Sequence, residues 1–541
     1  MKSISPETRR LIQQLHEPRG FVEALRGSRD YVSLLRRVGD SKELAAIIEI
    51  LPFVLSKKRG VAEAAAAAVD KLVLDATTKE LLWLDDAMRR RSPYSGESFY
   101  EWHRMSPNQL LSFERFGAAS VSLLGMPSFH HNGYIREAAI YRLDRITSGS
   151  ELRFLILRLN DWVSNVRDAA YDAVRSRLKP EYGSALIGNL ALVSRLEGAG
   201  RADHTGLVQA IYKLLQSEEC RQVLLQSLKS DDRFVRRASF RLAFNAIGVD
   251  LPSVMRLALA DRDTVIRTTA AQRLDSLFSG ETLDQFLTVM RRDRYMPVRR
   301  EALRAYVKRG GDQAQDELVS ALLDGHFSMR EEARYYLRTL ASIDLAEFYR
   351  RSLSEGREDD LYAAISGLGE TGTETDDRLI LPYVVNDAGR IRKGAIKALA
   401  KLNGKAQGDL FLRALKDGVP SVSRQALKAL CNKGFSVPAE RIWEILRSAT
   451  NPHVKRNALS LLQRLNKWES IYYLINAIRD PDEGISELST SAVERWLVRF
   501  NRSFTRPTHP QIGRLVKAVD DAGDRLNEKT KQQLLFSVKS F

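Results

Sequence analysis

Only two cysteines, Cys220 and Cys431, occur in 541 residues, so neither a disulfide framework nor a thiolate cluster for zinc can form, and a reducing compartment is the expected setting. Long charge-free apolar runs are missing as well. The most apolar stretch, Val61 to Leu74, carries Glu63, Asp70 and Lys71, which excludes a membrane span there. The opening residues, with Lys2, Glu7, Arg9 and Arg10, hold no apolar core of the kind a secretory signal needs, and a cytoplasmic location is expected. No strand-like alternation competes with helical periodicity. Catalytic motifs are equally scarce: there is no Gly-x-Ser-x-Gly, His-Glu-x-x-His or Gly-Lys-Ser/Thr phosphate loop. The carboxylate pairs Asp85/Asp86 and Asp359/Asp360 fall at helix ends, where capping explains them. His130/His131, the one adjacent histidine pair, lacks the i, i+4 spacing that converges ligands on a metal. The sequence therefore leads us to expect no enzyme, no catalytic residue, no cofactor and no metal site.

What the chain does have is repetition. The phrase Asp263-x-x-Ile266-Arg267-x-x-Ala270-x-x-x-Leu274 returns with anchors at 234, 266, 298, 329, 360, 391, 422, 454 and 485, at intervals of 31 or 32; the copies at Phe234, Asp360, Val422 and Ile485 are weaker, as are those that begin at Ile135 and Val166. Each copy is preceded by a second apolar-periodic segment, as in Leu283-x-x-Phe286-Leu287-x-x-Met290. Spacings of three and four make both segments amphipathic helices, so the unit is a helical hairpin. Pro297, Pro420, Pro452 and Pro481 sit in the turns before second helices, and Gly310, Gly311, Gly367, Gly369, Gly404 and Gly434 are expected to follow them. The alanine four residues beyond the anchor is small because neighbouring helices pass closely there; Ser489 keeps that place in the last copy.

With the Val/Ile-Arg-x-x-Ala-x-x-x-Leu pattern in view, and with Asp480, Pro481, Asp482 and Gly484 leading into Ile485, the chain resembles HEAT-repeat proteins, in particular the short bacterial type also seen in bilin-lyase-like repeats. The resemblance implies an all-α fold, a right-handed α-solenoid of about 12–13 hairpins with a 31-residue period, whose second helices line a concave face. The expected organisation is an N-terminal helical cap and early repeat over 1–84, an aromatic-rich insertion or irregular repeat over 85–132, the repeat solenoid over 133–499 and a C-terminal helical cap over 500–541. The 85–132 segment carries Tyr94, Phe99, Tyr100, Trp102, Phe113, Phe116 and Phe129; it reads either as a partner site or as irregular helices plugging the stack.

Charge supplies the remaining clues. The formal net charge of +16, from 84 basic and 68 acidic residues, favours an acidic partner. Part of it is structural: an arginine or lysine recurs just after the anchor (Arg136, Arg167, Arg267, Arg299, Arg330, Arg392, Lys455), and an aspartate recurs five residues before it (Asp161, Asp261, Asp293, Asp324, Asp417, Asp480). Such a carboxylate can cap the second helix and meet a neighbouring guanidinium. A second basic set, at two and six residues past the anchor, points about 200° away from the buried stripe and so toward solvent. It comprises Arg236, Arg300, Arg304, Lys393, Lys397, Arg424, Lys428 and Arg456, replaced in the early copies by Glu137, Asp168 and Asp172. The reading that results is a non-enzymatic scaffold or adaptor holding another protein subunit along its concave face within a larger bacterial complex, with nothing pointing to a membrane. The alternative is a nucleic-acid-binding solenoid using the basic row, and a third is a HEAT-like DNA-modifying enzyme. Gly367, Gly369 and Gly372 match a dinucleotide-binding spacing, but they follow a helix rather than a strand, so a structural role is expected.

Overall fold

The computed structural model describes residues 4–16, 30–90, 101–340, 343–431, 437–502 and 504–538. Tyr94, Phe99, Tyr100 and Gly434 lie outside them. Within the described residues every regular element is an α-helix or a short 3-10 turn, with no strand. The chain divides into two compact units, Met1–Met290 and Arg291–Phe541, each an α-solenoid segment built of successive helical hairpins.

One hairpin of the C-terminal unit shows how sequence makes the element. Helix Gly408–Leu415 buries Phe411, Leu412 and Leu415, a three-four spacing on one face. At the turn, Asp417 Oδ1 accepts the Val419 amide at 2.8 Å. Pro420 then opens the next helix, where its missing N–H costs nothing and its fixed φ suits the first turn. Helix Pro420–Leu430 buries Val422, Ala426, Ala429 and Leu430 against its neighbours Gly389–Leu402 and Pro452–Leu462. The pattern repeats along the unit, and one continuous apolar core runs from Leu303 to Val538. Beyond the last repeat copy, helices His509–Ala522 and Glu528–Val538 pack onto that core through Leu515, Val519, Leu534 and Val538.

The N-terminal unit uses the same hairpins, with second helices Gly133–Asp144, Ser164–Arg175, Arg233–Ala243 and Thr264–Leu277. Between residues 175 and 233 run the short helices Gly183–Gly188, Leu190–Leu196 and Arg221–Ser227, together with Thr205–Leu215, which buries Leu207, Val208, Ile211 and Leu215. In the aromatic-rich segment Trp102, Phe113 and Phe129 point inward and are buried. His130 is buried with them. Its Nδ1 accepts the Asn132 amide at 3.0 Å and its Nε2 lies 3.0 Å from the Trp102 carbonyl, so the ring is the neutral Nε2–H tautomer. Burial pushes its pKa down to about 4.

The small residue four past the anchor has no exposed surface in Ala139, Ala170, Ala270, Ala302, Ala333, Ala364, Ala395, Ala426, Ala458 and Ser489. A leucine at Ala302 or Ala395 should overpack the seam between adjacent second helices and destabilise the C-terminal unit by about 1–3 kcal/mol. Thermal unfolding at the wild-type midpoint in both variants would contradict this packing.

Candidate functional site: the second-helix basic face

The basic residue after the anchor is fixed by a ladder. Arg136 donates from Nε and Nη2 to Asp161 at 3.0 and 2.6 Å. Arg299 grips Asp324 the same way at 2.7 and 2.8 Å, Arg392 grips Asp417 at 2.7 and 2.9 Å, and Lys455 Nζ reaches Asp480 at 2.6 Å. In each rung the carboxylate stands 25 residues beyond the cation, in the turn leading to the next second helix. The remaining guanidinium Nη1 donates to the carbonyl six residues back, as in Arg299 to Asp293 and Arg392 to Asn386. Bidentate guanidinium–carboxylate geometry of this kind fixes the register of neighbouring hairpins as well as holding them. The carboxylate closes its turn rather than capping the helix: Asp261 accepts the Asp263 amide, and Asp263 itself caps helix Thr264–Leu277.

Arg236 belongs to this ladder and not to the exposed row. It is buried, donates to Asp261 from Nε and Nη2 at 3.0 and 3.2 Å, and reaches the Ser230 carbonyl at 2.8 Å. The sequence phase is one residue early here because Ala238 imitates the small residue of the phrase. The buried anchor is Val235, Phe234 is exposed, and Ser239 takes the close-contact position with no exposed surface. The neighbour that does occupy the outward position, Arg237, pairs with Asp263 at 2.9 Å.

The rest of the row lies in the C-terminal unit and is not uniform. Arg304 is neutralised, donating from Nε to Glu332 at 2.6 Å and lying 3.5 Å from Glu301. Arg300 lies 4.0 Å from the same Glu332, and its buried Nε makes no hydrogen bond. Lys393 and Lys397 are half-buried on helix Gly389–Leu402, whereas Arg424, Lys428 and Arg456 are exposed on helices Pro420–Leu430 and Pro452–Leu462. No carboxylate among the described residues pairs with any of these five.

A rung is missing where the row begins. The turn before helix Glu358–Thr371 offers no aspartate at the ladder position, only the exposed Glu355. Arg330 turns instead to Glu370 near the end of that helix, with Nε donating at 3.2 Å, and Arg334 Nη1 donates to the same carboxylate at 2.7 Å. Sequence spacing did not expose Glu370, because it lies ten residues past its anchor, inside the glycine-rich segment. The glycines there serve packing. A Cβ on Gly367 would stand 2.2 Å from the Tyr349 ring, and one on Gly369 would stand 2.6 Å from the Ala398 Cα. Gly367 and Gly369 lie within the helix rather than ending it, and let it approach both neighbours.

Among the described residues no helix is long and apolar enough to cross a membrane. No cluster of three or more His, Cys, Asp or Glu side chains there could hold a metal ion. No family model matches the sequence, and no curated protein is similar to it at a significant level. Solved structures similar in backbone include the S. pombe condensin Cnd3–Cnd2 subcomplex, with 13% identity over 98% of this chain and 79% of that one at a TM-score of 0.34. Importin beta in an ammonium sulfate condition shows 14% identity over 98% and 84% at 0.35, and a Kap121p mutant 12% over 98% and 74% at 0.29. These likenesses are remote; the α-solenoid architecture with HEAT-like hairpins stands on the chain's own ladder and seam.

Proposed function

We propose that the protein is a non-enzymatic scaffold that holds an acidic protein segment along the second-helix face of its C-terminal unit. The observation that carries this reading is selective neutralisation. Arg236, Arg299, Arg304 and Arg392 are each spent on a carboxylate, while Lys393, Lys397, Arg424, Lys428 and Arg456 have no carboxylate partner among the described residues. Long unpaired cations aligned on three adjacent helices repel one another, and an acidic ligand relieves that repulsion.

The row fits a protein segment better than a nucleic acid. Helices packed about 8–10 Å apart give three second helices a span of roughly 20 Å, the length of about six extended residues. Glu331 and Glu487 lie in the equivalent position on helices before and after the row. No aromatic ring occupies the outward positions of the three helices themselves, although Tyr335 and Tyr362 hold such positions on the two second helices before them, so bases lying along the unpaired cations would have no ring between them to stack on.

The test uses the full chain and its native partners. Reversing the exposed Arg424, Lys428 and Arg456 to glutamate should release the polypeptide that co-purifies at moderate salt. Melting should stay close to wild type, since exposed changes usually cost within about 0.5 kcal/mol. A partner retained by the triple variant would refute the reading. Duplex DNA bound by the wild type with a log–log salt slope of about −0.9 per neutralised phosphate would transfer the row to nucleic acid.

A further inference from the structure

The row begins beside an unusual concentration of charge. Arg330 and Arg334, one turn apart on helix Phe327–Leu340, are both buried and both converge on Glu370. Lys401, from helix Gly389–Leu402, stands with its ammonium 5.5 Å from the centroid of the Phe327 ring, and the Arg334 guanidinium stands 5.8 Å from the same centroid. Lys397 lies one turn before Lys401. Two cations thus share a single carboxylate with two lysines close by, and no second carboxylate among the described residues pairs with any of the four. Burial lowers the Lys401 pKa, and Lys397, Arg334 and Arg330 lower it further against the opposing pull of Glu370.

An independent feature sits at the same place. Ser366 is one turn before Glu370 on helix Glu358–Thr371; it is 7% exposed, and its Oγ has no hydrogen-bond partner. The face of that helix turned to Gly389–Leu402 is marked by Gly369 against Ala398 and by Tyr362 and Ile365 against Gly394. At 100° per residue, Ser366 falls between this face and the direction of Glu370. The orphaned hydroxyl therefore stands on the side where Lys397 and Lys401 approach. A buried hydroxyl left without a partner is costly, and an excess of positive charge beside it calls for an anion with acceptor oxygens.

We propose that Arg334, Lys397, Lys401 and Ser366 form a receptor for a phosphate monoester carried by the acidic segment, so that phosphorylation of the partner controls its capture. The inference rests on the scaffold reading above and specifies its ligand. A phosphate monoester brings nearly two negative charges and three acceptor oxygens, which matches the charge excess and satisfies the Ser366 hydroxyl. Arginine and lysine bonds to such a group are charge-assisted and short.

Titration calorimetry on the full chain at fixed ionic strength, with inorganic phosphate, O-phosphoserine and serine as probes, tests it. Phosphoserine and phosphate should bind and serine should not. Lys401→Ala and Lys397→Ala should each weaken phosphoserine roughly tenfold, with circular dichroism unchanged, and the Arg424, Lys428 and Arg456 reversal should leave phosphoserine binding intact. Phosphate binding without phosphoserine binding would overturn the proposal, because the site would then serve a free ion. Undiminished binding in both lysine variants would overturn it too. Equal capture of the native partner before and after phosphatase treatment would remove this inference and leave the scaffold reading standing.

Discussion

Asp161→Ala should destabilise the N-terminal unit by about 3–5 kcal/mol, the range for removing one partner of a buried ion pair. The Asp161 side chain has no exposed surface. It accepts from Arg136 Nε and Nη2, from Arg89 Nη2 at 2.9 Å, from Arg158 Nη1 at 3.0 Å and from the Val163 amide at 3.1 Å. Burial alone would push its carboxyl up, but the Arg136 and Val163 hydrogen bonds and the surrounding guanidinium charges outweigh it and hold the pKa below the ordinary value. Deleting the carboxylate leaves Arg136 and Arg158 buried without that countercharge, while Asp85 stays paired with Arg89 and Arg158. Asp161 lies in the N-terminal of the two compact units, so the loss should appear in the part of a urea transition that reports that unit, with the part that reports the other unit unmoved. A shift of under about 1 kcal/mol in both phases would mean that water or Asp85 replaces the carboxylate, and that the rung contributes register rather than stability.

Much of this architecture was legible because repetition multiplies weak local signals. No single Val-Arg-x-x-Ala phrase is diagnostic, but the interval of 31 or 32 residues fixed which residue faces inward at nearly every copy, and the ladder partners followed from the aspartate five residues before the anchor. Reading failed where two small residues stood side by side. Ala238 and Ser239 both satisfy the seam, and only packing decides for Ser239, which moves Arg236 from the solvent face into the ladder. It failed again where the repeat departs from itself. Glu370 replaces a missing turn aspartate from another helix, a substitution that depends on three-dimensional approach through Gly367 and Gly369 and leaves no periodic trace. The spacing places Arg304 in the solvent-facing row, yet Glu332 withdraws it, because that carboxylate lies 28 residues on in the neighbouring second helix.

Glu370→Gln should cost the C-terminal unit a comparable amount, about 3–5 kcal/mol, for a reason that also probes the charge cluster. Arg330 is 1% exposed and Arg334 6%, so neither guanidinium can regain full hydration when the carboxylate is neutralised. An ordinary rung such as Arg392 with Asp417, where both side chains keep more exposure, should cost less when Asp417 is changed to asparagine. The contrast between the two variants separates burial from pairing, since both lose the same kind of bond. Adding Arg334→Met to the Glu370 variant should recover part of the loss, as removing an uncompensated buried charge relieves its desolvation. Inorganic phosphate should raise the unfolding midpoint of Glu370→Gln more than that of the wild type, because an anion then meets four cations with no carboxylate competing. Unfolding indistinguishable from wild type in Glu370→Gln would show that the two arginines are satisfied without it. In that case the cations around Ser366 would have no need of a countercharge, and the argument for an anion there would fall.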